Sequence, residues 1–392
     1  MDRIFGQIKN IQAMIIIFIC VLLISFHFFF IYFINSTYLA GFISEATVGY
    51  TYTIGSILNI FTIISAPKFL KKYGNYKLTL TFGAIEFITL LSIAAIPAVQ
   101  EYSLLIVALF IIHQAVAPLL FYCMDIFSEQ LASSEELGNV RGVYLTMQNI
   151  PPIITPLIAG IILIKPEYWK VYFIGALFLI PFFILVISNF RQFKDPEYLE
   201  IDVPGALKKF YADKNVFDIF VDHFLLHLFY GWTVIYLPLY LTEHIGFTWS
   251  EVGIILSFML LPFIIFQIPI GKMEDKYHDE KHFLVLGFSI MAVSFMLIPF
   301  IQEKSIVLWS AILFVSRIGA SVVEVSSESF FFKHINPHNA GFISFFRMTR
   351  SLPYFVIPPL VGATLMFLSF PYIFFIAGVL MLLGVRYALL LK

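Results

Sequence analysis

A few ionisable and amide side chains interrupt long apolar runs in this chain, and their types define the chemistry open to it. Arg317, in Leu313-Phe314-Val315-Ser316-Arg317, offers a planar cationic fork suited to bidentate contact with a carboxylate or phosphate. Glu324 and Glu328 follow at i,i+4 spacing and share a helix face. A buried carboxylate such as Glu324 can hold a proton and release it, whereas Glu328 fits a solvated rim. Asp222, His223 and His227, with Asp218 one turn earlier, put two imidazoles and a carboxylate on one stretch of helix. That pattern serves a proton relay or a substrate contact. His-x3-His beside an acid also resembles half of a divalent-metal site, but no cysteine or further histidine completes it, so no metal is expected. His27, the His113-Gln114 pair and Glu86 complete the set. Ionisable groups inside a bilayer mark a pathway, a relay or an internal ion pair. The bland alternative for Arg317 is a pairing with an acid such as Glu324 that only holds helices together.

The elements that position these residues follow from composition. Of 392 residues 60% are hydrophobic and 12% charged, with a mean hydropathy of +0.91, which makes lipid the solvent of this chain. A hydrocarbon core of about 30 Å takes roughly 20 apolar residues per helix. Twelve such runs occur, near 14–34, 46–66, 78–98, 103–124, 143–163, 170–190, 217–240, 252–271, 283–301, 306–328, 342–367 and 370–390. The first is too long for a signal peptide and its exit, Tyr32-Phe33-Ile34-Asn35, lacks small residues for cleavage, so it reads as a retained span. Cys20 and Cys123 both fall inside apolar runs, which argues against a structural disulfide or a thiolate site. No nucleotide-binding Walker sequence accompanies the spans, and neither a cofactor nor a nucleic-acid partner is implied.

Orientation follows from the basic residues. All but four of the 24 Lys and Arg fall on one side of the twelve runs, the exceptions being Lys165, Lys170, Lys304 and the intramembrane Arg317. Both termini are therefore expected in the cytoplasm, which requires an even number of spans. Trp169, Trp249 and Trp309 fall at the opposite ends, where an interfacial aromatic belt would place them.

The long polar interruption 191–215, carrying Arg191, Asp195, Lys208, Lys209 and Lys214, divides the spans six and six. Residues 1–190 and 216–392 then read as two halves joined by a cytoplasmic linker. One constant offset aligns Val48-Gly49 with Val252-Gly253, Lys68 with Lys272, Lys72-Tyr73 with Lys276-Tyr277, Lys77 with Lys281, and Leu109-Phe110 with Leu313-Phe314. After the fourth span the offset shortens by two, and Pro151, Pro156 and Gly160 match Pro353, Pro358 and Gly362. The halves are read as copies, and His113 occupies the position of Arg317. The matched prolines in the fifth and eleventh spans predict kinks.

Six-plus-six parallel repeats joined by a cytoplasmic linker resemble the major facilitator superfamily of secondary transporters over essentially the whole chain. The family carries G-x-L-A-D-R-x-G-R-K between spans two and three, with a weaker copy between eight and nine. Here Gly271-Lys272-Met273-Glu274-Asp275-Lys276 keeps the glycine, the acid and the following base. In Pro67-Lys68-Phe69-Leu70-Lys71-Lys72-Tyr73-Gly74 the leading glycine is missing and Lys71 stands where the aspartate would. The resemblance implies an all-α membrane protein of twelve helices in two pseudo-symmetric six-helix bundles, with gating residues Gly271, Asp275 and Lys276. It also implies a central cavity lined by the first, fourth, seventh and tenth helices, where His27, His113, Gln114, Asp222, His223, His227, Arg317 and Glu324 fall. Glu86, in the third span, is the exception.

The function expected is secondary active transport of a small solute by alternating access, coupled to protons, by a monomer in the plasma (inner) membrane. Arg317 lies about a dozen residues, or roughly 18 Å, inside its span, near the midplane. An anionic solute group would suit it and the equivalent His113. A sensor or scaffold on the same fold, and a membrane-embedded lipid-modifying enzyme, are the competing classes.

Overall fold

The computed structural model describes residues 2–97, 99–131, 137–198, 205, 213–277, 280–334 and 349–391, and these contain helices and connecting turns with no strand. Among the described residues eleven helical stretches are long and apolar enough to cross a membrane. Ten of the expected runs and the last match them, from Gln12–Ala40 through Ile306–Phe331 to Tyr372–Leu390. The remaining run, 342–367, is represented by the 14-residue helix Leu352–Leu365, and its first part lies outside the described residues. So do Lys208, Lys209 and Arg347.

The chain divides into two compact units, Met1–Ile43 with Ile54–Glu200 and Ser44–Thr53 with Ile201–Lys392. In the first unit run α1 (Asp2–Tyr32), the short α2 (Asn35–Ala40), most of α3 (Glu45–Tyr73), α4 (Asn75–Ala95), α5 (Ser103–Leu131), α6 (Leu137–Asn149), α7 (Pro151–Ile162), α8 (Tyr168–Leu177) and α9 (Leu179–Asn189). The second holds α10 (Lys214–Leu239), α11 (Trp249–Leu260), α12 (Pro262–Ile265), α13 (Gln267–Tyr277), α14 (Glu280–Leu297), α15 (Ile306–His334), α16 (Leu352–Leu365) and α17 (Tyr372–Leu390).

Proline explains several of the breaks. Pro151 and Pro152 open α7 after Ile150, so the expected kink of the fifth span is a junction between two helices. The Thr155 hydroxyl then donates to the Phe29 carbonyl of α1 at 3.1 Å, fastening the kinked segment. Pro262 opens α12 in the same way and divides the eighth span. Pro353 sits in the first turn of α16, with Pro358 and Pro359 inside that helix.

Each unit packs around its own core while large apolar side chains also stand on its surface. In the first unit Ile17, Ile24, Leu120, Phe127, Leu179 and Phe182 are buried together. Phe61, Ile88 and Ile184, like Phe258, Leu286 and Val293 in the second unit, remain exposed, as lipid-facing positions require. Small residues set the closest approaches of the second unit. A Cβ on Gly287 of α14 would lie 2.7 Å from the Gly319 carbonyl oxygen of α15, and one on Gly378 of α17 would lie 2.7 Å from that of Ala292.

Two details depart from expectation. Of the three tryptophans assigned to an interfacial belt, Trp169 is exposed, but Trp249 and Trp309 are buried. Trp309 packs edge-on against Tyr240, and its indole N–H donates to the Glu303 carbonyl at 3.0 Å, so it anchors a helix entry. In addition, Ser44–Thr53 at the start of α3 groups with the second unit. There Glu45 lies 3.0 Å from His244, and Gly49 admits the Tyr236 hydroxyl, which an added Cβ would approach to 2.5 Å.

Candidate functional site

In the second unit the polar residues gather on α10 and α15. Helix α10 is the most enclosed span, so Asp218, Asp222, His223 and His227 are all buried. Its sequence is apolar on every side of these four, which lets it pack all round. His223 Nδ1 lies 2.6 Å from the Thr349 hydroxyl, and the His223 and His227 rings meet edge to face at 4.4 Å. Neither carboxylate oxygen of Asp222 has a hydrogen-bond partner among the described residues.

Arg317 reaches toward the same helix. Its guanidinium carbon lies 4.8 Å from the centre of the Phe229 ring and 5.1 Å from that of Tyr230. Two aromatic faces against a buried guanidinium stabilise the cation by about 2 kcal/mol. Stacking engages the flat face of the guanidinium, whereas anion recognition uses its edge. Glu324, one of the acids considered as its ion-pair partner, accepts from Gln267 Nε2 at 2.9 Å. Glu328 lies 3.3 Å from Arg350 in a part-exposed pair, in keeping with a rim.

Of the expected gating residues, Asp275 lies on α13 and its side chain is outside the description. The neighbouring Glu274 is buried and accepts from the Ser326 hydroxyl of α15, which ties these two helices. Lys276 is exposed, and a Cβ on Gly271 would make only an ordinary contact with Val325 at 3.8 Å.

The first unit holds a second cluster, built on Glu86 of α4. Its Oε1 lies 2.5 Å from His113 Nδ1 of α5 and 3.1 Å from His27 Nε2 of α1. His27 Nδ1 lies 3.1 Å from the Gly175 carbonyl of α8 and must donate to it, because a carbonyl only accepts. All three side chains are at most 2% exposed. Glu86, which the cavity-lining pattern left as an exception, is thus the residue that joins two of the expected site histidines. Gln114, next in sequence, packs on Gly55 of α3, where an added Cβ would come within 2.6 Å of its side chain. Outside the spans, Asp195 accepts from the Asn75 backbone N–H at 2.7 Å and from the Tyr198 hydroxyl, capping α4 just after Gly74, whose φ is +80°. Burial, and then that carboxylate, push the Tyr198 phenol up.

Among the described residues no group of three His, Cys, Asp or Glu is placed to hold a metal ion. Ionisable side chains are buried on helices long and apolar enough to cross a membrane. The model of the Major Facilitator Superfamily matches residues 219–392. No curated protein matches the chain by sequence. Among solved structures, the nucleoside transporter NupG is 13% identical at a TM-score of 0.73, with 97% of this chain and 99% of that one covered. Two structures of a POT family transporter, one with a thioalcohol-conjugated peptide and one with 5-aminolevulinic acid, are 12% identical at TM-scores of 0.77 and 0.78. Each comparison covers 97% of this chain and 95% of that one. The family model thus matches the second unit, and the fold of these transporters is shared over nearly the whole length of the chain.

Proposed function

We propose that the protein is a secondary active transporter of a small anionic solute, working by alternating access between its halves and driven by co-moving protons. It would act as a monomer in the plasma (inner) membrane with both termini cytoplasmic. The observation that carries this reading is Arg317, a buried cation deep in α15 and stacked on Phe229 and Tyr230. A carboxylate or phosphate entering beside it would gain charge-assisted hydrogen bonds to the guanidinium. Asp222, His223, His227 and Glu324 supply further polar contacts in the same unit, and His27, His113 and Gln114 belong to the first. The nucleoside and peptide transporters of like fold support a polar small-molecule cargo without fixing which one.

The test is uptake by proteoliposomes across a panel of small organic anions, under an imposed pH gradient. Arg317→Ala is expected to lower transport of the accepted anion at least tenfold, and Arg317→Lys to restore part of it, since a lysine keeps the charge but loses the planar fork. An undiminished rate in Arg317→Ala would refute the anion site. Failure of every solute to move, with no ligand raising the melting temperature, would favour a sensor on the same fold. The lipid-modifying enzyme is disfavoured because the buried ionisable groups lie within the spans rather than at an interface.

A further inference from the structure

We infer that the acid taken at Arg317 is an amino acid in the broad sense: an organic acid that also carries an ammonium group, which Glu324 receives. The anionic half of this statement rests on the function proposed above. The ammonium half stands on the placement of Glu324.

Helix α15 carries one polar stripe. Arg317, Ser321, Glu324 and Glu328 recur at i, i+4, i+7 and i+11, so they fall on one face of an unbroken helix from Ile306 to His334. Seven residues from Arg317 to Glu324 set their Cα positions about 10 Å apart along the axis. The stripe therefore has a cationic end and an acidic end. Exposure grows in the same direction, since Arg317 is buried whereas Glu324 and Glu328 are part-exposed.

The two charges are not spent on each other. Ion pairs along a helix surface form between residues three or four apart, and these are seven apart. Glu324 instead accepts from Gln267 Nε2 of α13 at 2.9 Å, with the Tyr230 phenol of α10 beside it. Glu328, one turn further on, has its own cation in Arg350 at 3.3 Å. Among the described residues Glu324 thus meets only neutral donors. An acid kept to hold helices together would be matched with a base, as Glu328 is. Tyr230 links the two ends of the stripe, because its ring centre also lies 5.1 Å from the Arg317 guanidinium carbon. Tyr230, Gln267 and Glu324 are all part-exposed, so the acidic end is open to a solute.

The chemistry that fits is a carboxylate at the Arg317 edge and an ammonium at Glu324, with the chain between them passing the Tyr230 ring. An ammonium brings three donors and makes a charge-assisted bond to the carboxylate. A plain carboxylate of equal length would leave a methyl group facing Glu324. A dicarboxylate would bring a second negative charge against it, so it should be rejected most strongly.

The test compares three solute sets in proteoliposomes of the full-length protein at equal pH on both sides: ω-amino carboxylates, plain carboxylates and dicarboxylates. Side-chain reach shortens the span of about 10 Å, so chains of roughly four to eight carbons are used. Counterflow and the rise in melting temperature are read for each. Wild type should favour the best ω-amino carboxylate over its plain counterpart by about tenfold or more, with the dicarboxylate weakest. Glu324→Gln should erase that preference. Glu324→Asp should keep it but move the optimum to a longer chain, because the carboxylate retracts by one methylene; a structural role would not shift chain length. That shift, together with the wild-type preference, decides the matter if Glu324→Gln does not fold. Equal use of amino and plain carboxylates by wild type, a preference that survives Glu324→Gln, or no response to any of the three sets would overturn the inference. Plain carboxylates that depend on Arg317 but gain nothing from an amine would leave the anion reading standing. An amine preference lost in Glu324→Gln, beside undiminished transport in Arg317→Ala, would remove the anion reading and leave the ammonium site.

Discussion

In the first unit three buried ionisable groups meet around one carboxylate oxygen, Glu86 Oε1. At the equivalent positions of the second unit stand a glycine, an isoleucine and an arginine whose guanidinium lies on two aromatic rings. The two copies therefore share a register of helices and glycines while differing in where charge is buried. Gly83 and Gly287, aligned by the repeat, both allow a close approach, to Phe183 in one unit and to the Gly319 backbone in the other. On the repeat read from the sequence, packing positions are kept while buried polar residues diverge, so a difference between the halves points at function more sharply than a feature they share.

The comparison can be broken most severely by moving a charge. Ile290→Glu places in the second unit the acid that Glu86 provides in the first, but without its imidazoles. A loss of about 3–5 kcal/mol is expected, read as a fall in folded yield and melting temperature. Replacing the whole first-unit cluster at once, Glu86→Ile with His27→Leu and His113→Leu, should cost clearly less, because apolar residues then replace every member of the buried set. Equal losses would mean that the two copies tolerate buried charge alike.

The glycines give a smaller contrast. Gly287→Ala drives a methyl group against a backbone oxygen and should cost about 1–3 kcal/mol by thermal unfolding. Gly83→Ala meets only the edge of the Phe183 ring, which can turn aside, and should cost less. Asp195→Ala removes the cap of α4 and should lower stability by about 1 kcal/mol, with Asp195→Asn restoring most of it. The smallest effect is expected from Trp309→Phe, which removes one hydrogen bond to the Glu303 carbonyl, about 1 kcal/mol or less, while Trp169→Phe should be silent.

Much of this was legible in the sequence for a physical reason. A helix in lipid needs a long apolar run, so spans announce themselves. Pairings were not legible. Glu86 comes from a different helix than either histidine it touches, and no spacing rule links α1, α4 and α5. Hydropathy equally could not show that Trp309 turns inward, that Glu274 ties α13 to α15, or that Asp195 caps α4. Each depends on which face of a helix meets a partner distant in sequence. The Pro151-Pro152 pair was read as a kink because proline chemistry is local, and it proved to be a full junction.

The account's central claim is that a small anion is held at Arg317 in the second unit. Reconstituted protein tests it most directly when pH-driven accumulation and solute exchange at equal pH are measured side by side for the anion it accepts. Arg317→Ala should abolish both, and Arg317→Lys should restore part of each. Exchange that continues undiminished in Arg317→Ala would contradict it.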